Sequence, residues 1–126
     1  MSEIKEKLVN VTKLILQSNN NLDTLREEVT KLGYQLTDEI TVNDNNIWYV
    51  ICLFKKNENP KLDDITRKYG LLKKDKQDYY EYIINSKNDI LKKLEKSHDL
   101  TLKEQLKTEI MELTKLLEKC RIISTD

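Results

Sequence analysis

Few side chains in this 126-residue chain could carry catalysis, and their types narrow the chemistry at once. His98 is the only histidine, and it falls at an expected helix end, where it reads as a solvated polar residue. A Ser-His-Asp triad or a histidine-ligated metal centre therefore has almost nothing to build on. Cys52 and Cys120 stand far apart without a CxxC neighbour, which disfavours both a zinc site and a disulfide framework; buried, reduced thiols are expected. The 22 carboxylates scatter over expected solvent faces, and no pair is set apart by its spacing. Two glycines, Gly33 and Gly70, cannot make a glycine-rich turn that brings backbone close to a cofactor.

Two groupings remain. The first is the amide-rich run Gln17, Ser18, Asn19, Asn20 and Asn21. Asparagine's short amide can satisfy the free N–H groups at a helix start, so Asn20 or Asn21 is the expected cap of the next helix. The second is a band of cations. The chain has no net charge, yet residues 55–76 hold Lys55, Lys56, Lys61, Arg67, Lys68, Lys73, Lys74 and Lys76 against only Glu58, Asp63, Asp64 and Asp75. That excess of +4 sits between flanks of −3 and −1. An ordinary solvated surface is its plain reading and contact with nucleic-acid phosphates its functional one.

The elements that position these groups follow from hydrophobic spacing. Ile4 and Leu8 in residues 3–9 predict a short helix. The apolar run Leu14–Leu16 predicts a short buried strand, expected to pair in parallel with both faces covered. Leu22, Leu25, Val29 and Leu32 predict a helix closed by Gly33. Tyr34, Leu36, Ile40 and Val42 alternate into a polar turn at residues 43–46, and the run Ile47–Phe54 completes a β-hairpin whose second strand belongs inside a sheet. Residues 55–61, with the only proline, Pro60, read as a linker, followed by a short helix near Leu62–Tyr69 that Gly70 stops. Beyond it two stripes predict two amphipathic helices: Tyr80, Ile83, Lys87, Ile90, Leu91 and Leu94, then Leu102, Leu106, Ile110, Leu113, Leu117 and Cys120. Thr101 and Glu104 have capping-box spacing and place the second helix start near Leu102. A tight connection makes the two antiparallel neighbours.

A charged fraction of 35% and the lack of any apolar run approaching the roughly 18–20 residues of a spanning helix predict a water-soluble, cytoplasmic protein. The first residues, MSEIKEKLVNVTK, lack the pattern of a secretory signal. The expected organisation is an α/β unit over residues 1–58, a basic linker and short helix over 59–75, and a helical hairpin over 76–126.

In this order and spacing, LILQSNNN, LREEVTKLGYQLTDE, the hairpin containing IWYVI, YGLLKKDKQDYYEYI and the closing helix pair resemble the C-terminal part of the bacterial tRNA (adenine-N1)-methyltransferase family, adenine-22 type. The resemblance runs from about Lys13 onward. It implies three strands of a class I, S-adenosylmethionine-dependent methyltransferase sheet, with Ile47–Phe54 antiparallel beside Leu14–Leu16, followed by an antiparallel two-helix coiled coil. Gln17 and Asn19 would match the family's Gln-Pro-Asn loop as catalytic residues, with Ser18 in place of the proline. Tyr49-Val50 stands for a Tyr-Glu pair and Gly70-Leu71 for Gly-Pro. The implied function is that of a truncated C-terminal fragment: it positions tRNA through the basic residues 55–76, while the cofactor half lies outside it. Its expected partners are tRNA, the other half of the enzyme or a second copy of the chain, with no membrane and no metal. The alternative is a stand-alone interaction or oligomerisation module built on the helical hairpin.

Overall fold

The computed structural model describes residues 11–125, so the helix expected over residues 3–9 lies outside the described residues. The chain divides into two compact units, one ending at Leu71 and the other beginning at Leu72.

The first unit contains β1 (Lys13–Ser18), α1 (Leu22–Lys31), β2 (Tyr34–Asp44), β3 (Ile47–Lys56) and α2 (Asp64–Tyr69). Its sheet has the order β1-β3-β2 and is antiparallel throughout. The central place of β3 follows from its composition: Val50, Cys52 and Phe54 are buried on one side, and Ile51 and Leu53 are half-buried on the other. Asn45 and Asn46 join β2 to β3 with φ of 52° and 66°. Two successive left-handed residues match the right-handed twist of the flanking strands, and asparagine tolerates that conformation better than most residues. Gly33, at φ 95°, ends α1 in the same region.

The parallel pairing expected for β1 is not what forms. Leu14 lies opposite Phe54 and Ile15 opposite Leu53 in antiparallel register. Nor are both faces covered, since Leu14 and Leu16 are half-buried whereas Ile15 is 71% exposed.

A second departure reorganises the core. The pairing runs Leu36 to Phe54 and then Asp38 to Leu53, so Thr37 is an extra residue in β2. Side chains alternate across a strand, and one inserted residue exchanges the faces of everything beyond it. Tyr34 and Leu36 point into the core before the bulge. After it Glu39 is buried, and Ile40 and Val42, expected to continue the apolar face, are 42% and 40% exposed.

The second unit begins with a single 3-10 turn, Lys74–Lys76, and continues as α3 (Gln77–Lys93) and α4 (Leu100–Thr125). Glu81 pairs with Arg121 at 3.2 Å and Lys87 with Glu109 at 3.4 Å, so the two helices run in opposite directions. Leu106, Leu113, Leu116, Leu117 and Cys120 are buried along α4, and Tyr80 is buried on α3. Each buried leucine contributes roughly 1.5–3 kcal/mol by leaving water. Ile90, placed in the apolar stripe from its spacing, is 45% exposed. The expected Thr101 cap is also displaced: the Asp99 carboxylate accepts from the Leu102 N–H at 3.1 Å, and Thr101 already lies within the helix. A carboxylate at this position satisfies a free donor and favours the positive end of the helix.

Candidate functional site

The amide run lies where β1 ends. Gln17 is the penultimate residue of the strand, opposite Ile51, and Asn19 follows immediately; both are exposed. Ser18 folds the chain back, its Oγ donating to the Asn20 carbonyl at 2.7 Å and accepting from the Asn20 N–H at 3.2 Å. Asn21 occupies the position before α1 but makes no side-chain cap there. Its contribution is conformational: at φ 50° it supplies the left-handed step that turns the chain into the helix.

The basic band is divided between the two units. In the first unit Lys55 and Lys56 are exposed at the end of β3, and Lys61 and Lys68 are exposed around α2. The Gln35 side chain fixes the backbone of Lys61 from both sides, accepting from its N–H at 2.8 Å and donating to its carbonyl at 3.0 Å. Arg67 is already committed, to Asp64 at 3.2 Å and Asp23 at 3.7 Å. In the second unit Lys73 is half-buried and Lys74 is exposed. Lys76 is a correction to the expected phosphate-binding set. It has no exposed surface, and its ammonium lies 5.3 Å from the centre of the Tyr80 ring. A cation held over an aromatic face is stabilised by the ring quadrupole and cannot reach a polyanion.

Beside Lys76, the Cys120 Sγ lies 3.1 Å from the Lys73 carbonyl. Burial pushes the Cys120 thiol above its ordinary pKa, and the Lys76 charge opposes this in part. Such a thiol is a poor nucleophile, because the reactive species is the thiolate.

The group that spacing did not single out is the ion pair of Arg26 with Glu39. Both side chains are buried, and Arg26 Nη1 also donates to the carbonyls of Arg67 at 3.0 Å and Lys68 at 3.4 Å. One guanidinium thus ties α1 to β2 and to the end of α2. Gly70 closes over the pair: a Cβ there would collide with the Glu39 carboxylate, and would stand 2.7 Å from Arg26 Nη2. The only trace in the sequence is Arg26 between the apolar positions Leu22, Leu25 and Val29 of α1.

Among the described residues, no strand leads into a glycine-rich turn of the kind that brings backbone close to an adenosyl cofactor. The turn from β1 into α1 holds no glycine, Gly33 closes a helix and Gly70 covers an ion pair. Among the described residues no group of three or more His, Cys, Asp or Glu side chains could hold a metal ion, and no helix is long and apolar enough to cross a membrane.

The sequence matches the TrmK family, tRNA (adenine(22)-N(1))-methyltransferase, over residues 1–121. The chain belongs to that family. Among solved structures it resembles a candidate tRNA (m1A22) methyltransferase of Streptococcus pneumoniae, with 22% identity and a TM-score of 0.78 over 92% of this chain and 54% of that one. The B. subtilis m1A22 tRNA methyltransferase TrmK is similar, at 19% identity and a TM-score of 0.71 over 92% and 56%. So is M. capricolum TrmK in complex with S-adenosyl-homocysteine, at 19% identity and 0.69 over 93% and 55%. At these identities the likeness is one of fold, and the chain spans about half the length of these TrmK-family structures. No curated protein matches it.

Proposed function

We propose that this chain acts as the C-terminal part of an S-adenosylmethionine-dependent tRNA adenine-N1 methyltransferase and contributes tRNA positioning, with the cofactor held elsewhere. The observation that carries this reading is the family match, which runs through the basic segment and both terminal helices. Relatives in the family have been solved with S-adenosyl-L-methionine and with S-adenosyl-homocysteine, so the methyl group transferred would come from that donor.

Lys55, Lys56, Lys61 and Lys68 are the side chains through which the first unit meets phosphate, and Lys74 serves the second. Such contacts supply affinity and register without reading bases. Gln17 and Asn19, on either side of Ser18 at the end of β1, are the residues that would face the target adenine in an assembled enzyme. Ligands of open α/β folds bind at the carboxyl ends of strands, which is where both lie. The antiparallel helices of the second unit, with apolar positions spaced by three and four, act as a coiled-coil arm of cytoplasmic character. The expected working parts are residues 1–58, 59–75 and 76–126.

The test is binding of unmodified tRNA by the chain at rising potassium chloride. The expected result is an affinity that falls linearly on logarithmic axes, as phosphate contacts release counterions. Binding that is absent at low salt, or indifferent to salt, overturns the reading.

A further inference from the structure

The cations of the first unit fall at opposite ends of its sheet. Lys55 lies opposite Lys13, where β1 begins, and Lys56 lies opposite Tyr34, where β2 begins. Lys61 belongs to the same end, because the Gln35 side chain holds its backbone there. The Asn57 N–H donates to the Gly33 carbonyl at 2.9 Å, so α1 also finishes at this end. Ser18 pairs with Val50 at the other end of β1. From Lys13 to Ser18 the strand rises about 17 Å. Lys55, Lys56 and Lys61 are therefore remote from Gln17 and Asn19.

Lys68 is placed differently, and the register of the sheet gives its level. Glu39 lies opposite Cys52, and Cys52 opposite Leu16, the neighbour of Gln17. Arg26 binds the Glu39 carboxylate and donates through Nη1 to the carbonyls of Arg67 and Lys68. Arg67 reaches Asp23 in the first turn of α1. Gly70 closes over the Glu39 carboxylate. The last turn of α2 thus lies beside the start of α1, at the end of the sheet that carries the amide run, and Lys68 is exposed there.

A helix of six residues has little stability of its own, and of α2 only Tyr69 is buried. Its place is set by the groups that grip it, of which the Arg26 guanidinium is the one inside the protein. A buried ion pair is a weak source of stability, since apolar groups of similar volume often serve as well. It is better suited to fixing one geometry, because its donors and acceptors match in a single arrangement.

We infer that Arg26, held by Glu39, is a positioning residue for substrate RNA: it fixes the last turn of α2 so that Lys68 takes a phosphate next to the target adenine. Lys55, Lys56 and Lys61 take phosphates farther along the tRNA. The inference rests on the tRNA-positioning reading above and adds which cation stands nearest the target and what holds it there.

The experiment introduces a cysteine at either end of the sheet in the full chain, Lys68→Cys or Lys55→Cys. Cys52 and Cys120 are buried, so a thiol-directed aryl azide attaches at the new residue. Each labelled chain is irradiated with unmodified tRNA at low salt, and primer extension reads the crosslinked nucleotides. Crosslinks to the nucleotides flanking adenine 22, the base in the family's name, are expected at least fivefold more often from position 68 than from position 55. Equal frequencies, or an excess from position 55, overturn the inference. Arg26→Met and Glu39→Met are then added together to the Lys68→Cys chain, because the paired change releases α2 without leaving an orphan charge. At a temperature where this chain stays folded, it should still bind tRNA. It should lose the preference for adenine 22 at least fivefold and exchange the amides of residues 64–69 faster. An unchanged crosslink pattern overturns the positioning role. Absence of salt-dependent binding by the unaltered chain brings down the tRNA reading itself, whereas binding with misplaced crosslinks removes this inference and leaves the proposed function standing.

Discussion

Arg26 and Glu39 meet in a two-pronged ion pair that neither side chain shares with solvent: Nε lies 2.8 Å from one carboxylate oxygen and Nη2 3.2 Å from the other. Removing one partner leaves the other charged and buried, at a cost of roughly 3–5 kcal/mol. Arg26→Met and Glu39→Met should each lower stability by about that amount in urea denaturation. The double variant should recover much of the loss, since no orphan charge remains. Recovery should be incomplete, because the carbonyls of Arg67 and Lys68 lose the donor that Arg26 supplies. Additive losses in the double variant would show that the two side chains act independently.

Gly70 and Gly33 both have positive φ, at 81° and 95°, but only Gly70 is enclosed. A methyl group at Gly33 meets a single atom at 3.9 Å, so Gly33→Ala should cost only the backbone strain of roughly 1–2 kcal/mol. Gly70→Ala adds a collision with Glu39 and Arg26, which hold each other in place. Overpacking adds roughly 1–3 kcal/mol more. Thermal melts should therefore rank Gly70→Ala well below Gly33→Ala; equal losses would mean that the ion pair yields freely.

What the sequence discloses and what it conceals divide along physical lines. β3 was legible because a run of eight apolar residues has few places to go except the middle of a sheet. The helix stop at Gly33 was legible for a similar reason, since the chain there must turn left-handed. The Thr37 bulge was not: Tyr34, Leu36, Ile40 and Val42 keep a plain alternation that predicts an unbroken strand, and only pairing with β3 reveals the inserted residue. From that insertion follow the burial of Glu39 and the exposure of Ile40 and Val42. Lys76 failed for another reason. Composition counts a cation wherever it stands, while burial over Tyr80 is a tertiary fact.

The basic residues should separate by exposure when neutralised. Lys55→Ala, Lys56→Ala and Lys61→Ala lie in exposed positions of the first unit, and combining them should weaken tRNA binding. It should also flatten the salt dependence, by roughly 0.7–0.9 in logarithmic slope for each phosphate no longer neutralised. Lys76→Met should leave that slope unchanged while reducing stability, because its ammonium is turned into the protein. Filter binding at four salt concentrations gives the slopes. A slope that responds to Lys76→Met and ignores the triple variant would reverse the assignment.

Cys120 makes the stability of the second unit depend on alkaline pH in a defined direction. Burial raises its pKa in the folded chain, so folding holds a proton that the unfolded thiol releases near its ordinary value of about 8.5. The raised pKa contributes stability that is fully present below that value and is lost as pH climbs from it through the folded pKa. Cys120→Ala removes the titration along with the packing of a fully buried sulfur, a loss on the order of 1 kcal/mol that does not vary with pH. Wild type should therefore exceed the variant at pH 7 and lose that advantage progressively above about pH 8.5. Urea midpoints measured for both chains at pH 7, 8.5 and 9.5 give the comparison. Parallel curves would show that the Sγ proton is not retained on folding, and that the 3.1 Å approach to the Lys73 carbonyl does not depend on it.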